Sequence, residues 1–300
     1  MKPSDIEIIF ISYDEPNADL NYSNLLEKAP WAKRVHGVKG SDNAHKAAAE
    51  LSSTDWFITV DGDNIVDPKF FNIEIEEQSN VNVYSWCGLN SINGLRYGNG
   101  GLKIWKKDFV LNMKTHEAAD DAKAHVDFCW ENGYRNFPTV FSQTVVNATP
   151  FQAWRAGFRE GVKMLLKDGL KVEKEKLKQE IYWHNLHRLR MWSCVGSHVE
   201  NGSYAILGAR QGSWLTYCTD WNHVDVRDFD VLKNIYDQNV DHSSVERDIL
   251  DLGKKLRLNL GLNWTYFGPE ESQYIVDMYE EAVALGQTYF NRAPIWKSSS

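Results

Sequence analysis

No stretch of the 300-residue sequence approaches the roughly 18 uninterrupted apolar residues of a membrane-spanning helix, so no membrane partner is expected. The start, "MKPSDIEIIFISYDEP", has neither a basic n-region nor a small-residue cleavage site, and a cytoplasmic location is expected. Cysteine is scarce: Cys87, Cys129, Cys194 and Cys218 are widely scattered, with no pair at the short spacing of a zinc knuckle or redox motif. They read as buried free thiols rather than a staple or metal site. There is no GxGxxG after the first strand-like run and no GxxxxGK[ST] anywhere, which leaves dinucleotide and P-loop sites without support. Internal repeats and low-complexity linkers are missing too. What remains, 43% hydrophobic and 13% aromatic, is the composition of a globular protein with a large core.

The first 90 residues alternate two periodicities. "IEIIFIS" (6–12), "AKRVHGV" and "WFITV" read as strands. "ADLNYSNLLEKA", with Leu20, Leu25 and Leu26 on one side, and the Ala-rich "DNAHKAAAELS", with its N-cap expected at Ser41 or Asp42, read as helices. This β-α-β-α-β order predicts a parallel sheet with helices on its faces. "VNVYSW" is a further expected strand, and the glycine-rich "INGLRYGNGGLKIW" an expected looped surface. From Phe151 the pattern turns helical: "FQAWRAGFREGVKMLLKDG", then "KVEKEKLKQEIYWHNLHRLRMW" after an interruption near Gly169, and the amphipathic "ESQYIVDMYEEAVALGQTYF". Asn147 to Pro150 marks the change of character.

Ligands of such sheets bind at the carboxyl ends of the strands. Tyr13-Asp14-Glu15, Lys39-Gly40 and Asp61-Gly62-Asp63 fall at those ends. Two hard carboxylates on one turn suit Mg2+ or Mn2+ with positions left open for phosphate oxygens. An EF-hand is excluded, because its loop needs Asp or Asn at position five and Gly at six, where this chain has Ile65 and Val66. The acids could instead merely form a turn and cap the helix expected at "DPKFF". If the first and third strands are neighbours, Tyr13 offers a nucleoside a face to stack on, and Asp14 and Glu15 offer it acceptors. Lys46 could offer a cation to a diphosphate, or be a solvated helix lysine.

"KGSDNAHKAAAELSSTDWFITVDGDN" resembles the signature of GT-A glycosyltransferases, especially the family 2-like group. The fold this implies is α/β, of GT-A type: Rossmann-like, with a mainly parallel sheet flanked by helices and with helical C-terminal additions. The resemblance implies a nucleotide-sugar donor, usually a UDP-sugar, bound through Mn2+ or Mg2+ at Asp61 and Asp63. On the same carry-over Tyr13 and Asp14 match the nucleoside position, and Asn43 with Lys46 match the Asn and basic residue of that family's helix. "FISYDEPNADLNYSNLLEKAPWAKRVHGVKG", "INGLRYGNGGLKIW" and "TPFQAWRAGFREGVK" are similar to phage-encoded glycosyltransferase-like proteins. That group is related to enzymes proposed to glycosylate hydroxymethylated pyrimidines in DNA, including the base J glucosyltransferase. The likeness implies host cytoplasm as the location. Where many family 2 enzymes carry Gly-x-Gly-Gly-Glu-Asp, this chain has "GNGGLKIW", so the usual base does not carry over. Asn99, Gly100 and Gly101 are expected on the acceptor side, and residues 1–147 and 148–300 as donor and acceptor regions, the second packed on the first.

Candidates for the base are Asp127, Glu160 and Glu200, each of which could equally be a surface or ion-paired acid. His116, His125, His198 and His223 are candidate further metal ligands, or ordinary partly buried side chains. Net charge is −8, yet residues 151–210 hold 11 Lys or Arg against 6 Asp or Glu, a basic segment in an acidic chain. Arg155, Arg159, Lys163 and Lys167 recur every four residues, a helical cationic stripe beside Trp154, Phe158, Val162 and Leu165. Such a stripe can follow a phosphate backbone, and Trp183, Trp192, Arg188 and Arg190 mix the groups that suit unstacked bases or sugars. The same cations could be a solvated helix face. A DNA acceptor, a cell-surface or lipopolysaccharide glycan acceptor, and a non-catalytic sugar- or nucleotide-binding module all stay open.

Overall fold

The computed structural model describes residues 1–98, 101–125 and 127–284. They divide into two compact units, Met1–Ser91 with Arg96–Val145, and Ile92–Leu95 with the chain from Val146 onward.

The first unit carries the sheet. Its strands are β1 (Glu7–Ser12), β2 (Lys33–His36), β3 (Trp56–Asp61), β4 (Asn64–Val66), β5 (Val83–Asn90), β6 (Arg96–Tyr97), β7 (Leu102–Lys106) and β8 (Tyr134–Thr144), and its helices are α1 (Ala18–Lys28), α2 (Ser41–Leu51) and α3 (Lys107–Asn112). The order across the sheet is β2-β1-β3-β7-β5-β8-β4, with β6 beside β5. Strands β2, β1, β3, β5 and β8 run one way, while β7 and β4 oppose their neighbours. This is the Rossmann-like α/β architecture, mainly parallel and flanked by helices, expected of a GT-A fold.

Burial on both faces explains the near-continuous apolar runs of β1 and β3. Ile8, Phe10, Ile58, Val60, Leu102 and Ile104 pack with Leu25 of α1 on one face. Ile9, Phe57, Val83 and Trp105 pack with Ala48, Ala49, Val110 and Phe128 on the other. Leu20, expected with Leu25 on the buried side of α1, is 74% exposed. The expected loop over 92–105 is corrected as well: beyond the glycines lies β7, a central strand paired with both β3 and β5.

The sheet is curled. Only Gly62 and Asp63 separate β3 from β4, although β7, β5 and β8 lie between them in the strand order. In a flat sheet those four steps would span about 19 Å. The chain from Asp61 to Asn64 reaches about 11 Å at most, so the edge strand must come round to the carboxyl end of β3.

The second unit is helical: α4 (Pro150–Lys163), α5 (Leu177–Glu180), α6 (Trp183–Cys194), α7 (Gly202–Cys218), α8 (Phe229–Asn239), α9 (Val245–Leu260) and α10 (Pro269–Ala284). The single helix expected over "KVEKEKLKQEIYWHNLHRLRMW" is instead broken, because Glu173 and Ile181 are extended, with ψ of 134° at each. Helices α4 and α7 meet along a seam of small residues. A Cβ added at Gly157 or Gly161 would collide with the carbonyl oxygens of Ala205 and Ala209, and one added at Gly208 or Gly212 with those of Trp154 and Phe158.

Candidate functional site

The site is built on the two residues that close the curl. Asp61 ends β3, beside Ile11 of β1 on one side and β7 on the other. Its backbone N–H donates to the Gly101 carbonyl at 2.8 Å, and the Asp63 carbonyl accepts from Val145 N–H at 2.7 Å. Between them Gly62 has no room for a side chain: an added Cβ would lie 2.7 Å from Oε2 of Glu15 and 3.0 Å from Cβ of Ser12. The Gly62 carbonyl accepts from Nδ2 of the buried Asn21 on α1 at 2.9 Å. Asn64, also buried, donates from Nδ2 to Oδ1 of Asp63 at 2.7 Å and accepts at Oδ1 from the Thr144 hydroxyl at 3.3 Å. The turn is thereby held by β1, α1, β7 and β8 together, and the Asp63 carboxylate has a fixed orientation.

Tyr13, Asp14 and Glu15 follow the carboxyl end of β1. Glu15 accepts the N–H of Tyr13 at 2.8 Å and lies against Gly62; Tyr13 is half-buried and Asp14 exposed. At the end of β2, Ser12 and His36 are joined at 2.9 Å, and Arg34 donates to Ser12 at 2.8 Å and to Asp19 at 2.7 Å. Lys39 is exposed and accepts from Asn43 through its carbonyl at 3.3 Å, while the N–H of Asn43 is bound by Glu117 at 2.9 Å. Lys46 is committed elsewhere. Its ammonium pairs at 2.6 Å with the buried Asp42, whose other oxygen accepts from Thr115, so the cation expected for a diphosphate is not offered by this residue.

The face of the sheet that carries Asp61 changes character along the strands. Trp105 and Phe57 form its apolar end, and Nε1 of Trp105 donates to the Thr59 hydroxyl at 2.8 Å. Toward Asp61 it turns polar, with Lys103 opposite both Thr59 and Ser85. His45 of α2 packs onto this face against Phe128, ring centroids 4.6 Å apart, and Phe128 also meets the tilted ring of His116 at 4.4 Å. Burial lowers the pKa of His45, Asp61 opposes that shift and Lys103 adds to it, which sets all three groups within electrostatic reach of one another. Burial raises the pKa of the Tyr134 hydroxyl, helped by Asp127 and Asp61. Of the candidate bases Asp127 therefore shares a neighbour with Asp61, and it also caps Cys129 N–H at 3.3 Å. Glu160 and Glu200 belong to the second unit.

Sequence reasoning missed Asn64, His45 and Lys103. Only Lys103 left a readable trace, a lone charge inside the apolar run "LKIW".

Among the described residues no group of three or more His, Cys, Asp or Glu could hold a metal ion. His116, His125, His198 and His223 thus join no such cluster; Nδ1 of His125 meets the His116 carbonyl at 2.8 Å, and Nε2 of His223 the Gly169 carbonyl at 3.3 Å. Two acids still fit a hard cation of the Mg2+ type, which is commonly held by one or two carboxylates together with a ligand's phosphates and water.

The basic segment is less exposed than its spacing predicts. Trp154 is fully buried, and Trp192 nearly so, which removes both from any acceptor surface. Arg155 is buried with its guanidinium 4.1 Å from the ring centroid of Phe229, and Arg159 lies 5.5 Å from the same ring. Helix α4 ends at Lys163, so Lys167 lies beyond it in a turn with Leu170, and the expected four-cation stripe is corrected to a shorter one. Arg188 and Arg190 are half-buried on α6, where Trp183 is 53% exposed. Gly101 stands beside Asp61, whereas Asn99 and Gly100 lie outside the described residues. No helix among the described residues is long and apolar enough to cross a membrane.

No protein-family model and no curated protein matches the chain. Among solved structures, HddC from Yersinia pseudotuberculosis is similar at 17% identity over 45% of this chain and 69% of its own, with a TM-score of 0.28. The mannosyltransferase PcManGT from Pyrobaculum calidifontis, in complex with GDP-Man and Mn2+, is similar at 13% identity over 97% of this chain and 89% of its own, with a TM-score of 0.36. At these scores neither likeness bears on fold or activity.

Proposed function

We propose that the protein is a glycosyltransferase that moves a sugar from a nucleotide-sugar donor to a hydroxyl acceptor, with Mn2+ or Mg2+ held at Asp61 and Asp63. The observation that carries this reading is the pair of acids on one turn at the carboxyl end of β3, a turn held from four sides, with Asn64 on the Asp63 carboxylate and Glu15, just past the parallel neighbour β1, against Gly62. A bound divalent cation supplies neutralisation of the diphosphate leaving group. The residues do the rest: Tyr13 stacks on the base, Asp14 accepts from the nucleoside, and Asn64 holds Asp63 in its rotamer. The acceptor oxygen bonds to the anomeric carbon as the bond from that carbon to the diphosphate oxygen breaks, the electron pair staying on the diphosphate. The hydroxyl proton passes to a base, for which Asp127 is the candidate in the unit that carries the acids. Residues 1–147 act as the donor region and 148–300 as the acceptor region.

The acceptor this reading adopts is the hydroxymethyl group of a modified pyrimidine in phage DNA, supported by the sequence resemblance and by Arg159, Lys163, Arg188 and Arg190. Incubation of hydroxymethylated DNA with the protein, mixed nucleotide sugars and Mn2+, followed by mass spectrometry of the nucleosides, tests it. A mass gain of one sugar is expected; unchanged nucleosides with active donor hydrolysis would move the acceptor to a glycan. Chelation of the metal, or Asp63→Ala, is expected to remove donor turnover, and full activity in Asp63→Ala would sink the glycosyltransferase reading.

A further inference from the structure

Among the described residues the buried charges other than that of Lys103 each have at least one partner. Asp42 has Lys46 and Thr115, Arg210 has the carbonyls of Ser193 and Ile249, and Arg155 has the ring of Phe229. Lys103 is different. It is 2% exposed, and among the described residues its Nζ has neither a carboxylate nor a hydrogen-bond acceptor, only the ring of Phe128 at 5.8 Å. An ammonium withdrawn from water without acceptors is destabilising, and a fold retains such a group at a cost.

Its position says what the cost serves. In β7 the residue opposite Asp61 is Gly101, which follows from the Val60–Leu102 register, and Lys103 is the next residue on the same face. Diagonal neighbours across strands are within reach of a long side chain. Gly101 carries no side chain, and an added Cβ would lie 2.9 Å from Cβ of Asp61. The side chain of Asn64 fills the space over Gly101, so the sheet presents a carboxylate, an amide and an ammonium in a row. At its edge stands His45, 3% exposed, with Nδ1 on the Ser41 carbonyl at 2.8 Å and Nε2 without a partner. A lysine with no carboxylate, an imidazole nitrogen with no partner and the Asn64 amide over Gly101 are together arranged for an oxygen-rich anion.

We propose that Lys103 binds the distal phosphate of a nucleoside diphosphate from the floor of the site, with His45 Nε2 beside it. The inference rests on the nucleotide-sugar reading above. Lys103 supplies the positive charge that Lys46, tied to Asp42, does not. It donates hydrogen bonds to the phosphate oxygen that keeps the electron pair when the anomeric bond breaks.

The test compares uridine, UMP and UDP, and the guanosine series, by calorimetry with Mn2+ on the wild type, Lys103→Met and Lys103→Arg. The expected result is a wild-type preference for the diphosphate over the monophosphate that falls about tenfold or more in Lys103→Met and survives in Lys103→Arg, with monophosphate affinity changed less than about twofold. A wild-type preference that Lys103→Met retains overturns this inference and leaves the nucleotide-sugar reading standing. A wild type that binds no nucleoside diphosphate overturns both. Thermal melting of the ligand-free proteins separates a structural role: removing an unanswered buried cation is expected to leave Tm unchanged or raise it, and a fall of several degrees would overturn the assignment.

Discussion

Asn64 shows how much of the site depends on side chains that bear no catalytic charge. Its amide joins Thr144 to Asp63, so the carboxylate cannot turn freely. Partners behind a metal ligand typically change metal affinity 10- to 100-fold. For Asn64→Ala the apparent Mn2+ affinity of the nucleotide-bound protein should therefore drop by about tenfold, as read by titration with the paramagnetic ion. Gly62→Ala acts on the backbone itself. Its methyl would press on Glu15 and on Cβ of Ser12, which has no freedom to retreat, and overpacking of this kind costs about 1–3 kcal/mol. Urea unfolding should register that loss together with weaker metal binding, since the same turn carries both acids.

Among the elements, those with local causes are readable in the sequence. The β1-α1-β2-α2-β3 run follows from period-2 and period-3.6 patterning within short windows, and the ends of β1 and β3 that carry the proposed site follow from it. Elements whose identity depends on distant partners are not. β7 hides behind glycines, of which Gly98 turns the chain at φ 74° in open space and Gly101 serves close approach to Asn64 and Asp61, and β8, half-exposed along much of its length with Pro138 inside it, gives no clean alternation. The site splits the same way. Asp61, Asp63, Tyr13 and Glu15 sit in one readable pattern, whereas Lys103, His45 and Asn64 gain meaning only from the register of β7 and the curl of the sheet. In α4 the mutational expectation runs against helix propensity. Gly161→Ala on an exposed helix would stabilise by about 1 kcal/mol, yet here the methyl would meet the Ala209 carbonyl on α7, and overpacking costs about 1–3 kcal/mol. A net loss of stability in urea is expected, and a gain would mean that the α4–α7 seam is looser than described.

For the whole molecule, charge and its burial set the response to conditions. Two of the 11 cations in residues 151–210, Arg155 and Arg210, are buried, so the basic face offered to a polyanion is smaller than the composition suggests. Binding to DNA, if measured, should show a salt slope reflecting a few phosphates rather than a stripe of eleven. Acid should act on the second unit first through His187. Burial, with Arg190 and Arg188 adding to it, lowers its pKa from 6.5 to about 4. The unfolded chain then binds a proton that the folded protein refuses between those values, so the stability this residue contributes is whole above pH 6.5 and is lost as pH falls toward 4. His187→Gln should flatten that part of the stability profile measured by urea unfolding from pH 7 to 4.

The curl of the sheet also dictates when, along the growing chain, the site can exist. Asp61 and Asp63 are made early, but Gly101, Thr144 and Val145 complete their geometry, and the pairing of β4 with β8 joins residues 80 apart. Long-range pairings of this kind form late. A chain ending at residue 133 would contain both acids and no site, so binding competence arrives with the last strand of the unit and reports that folding is finished.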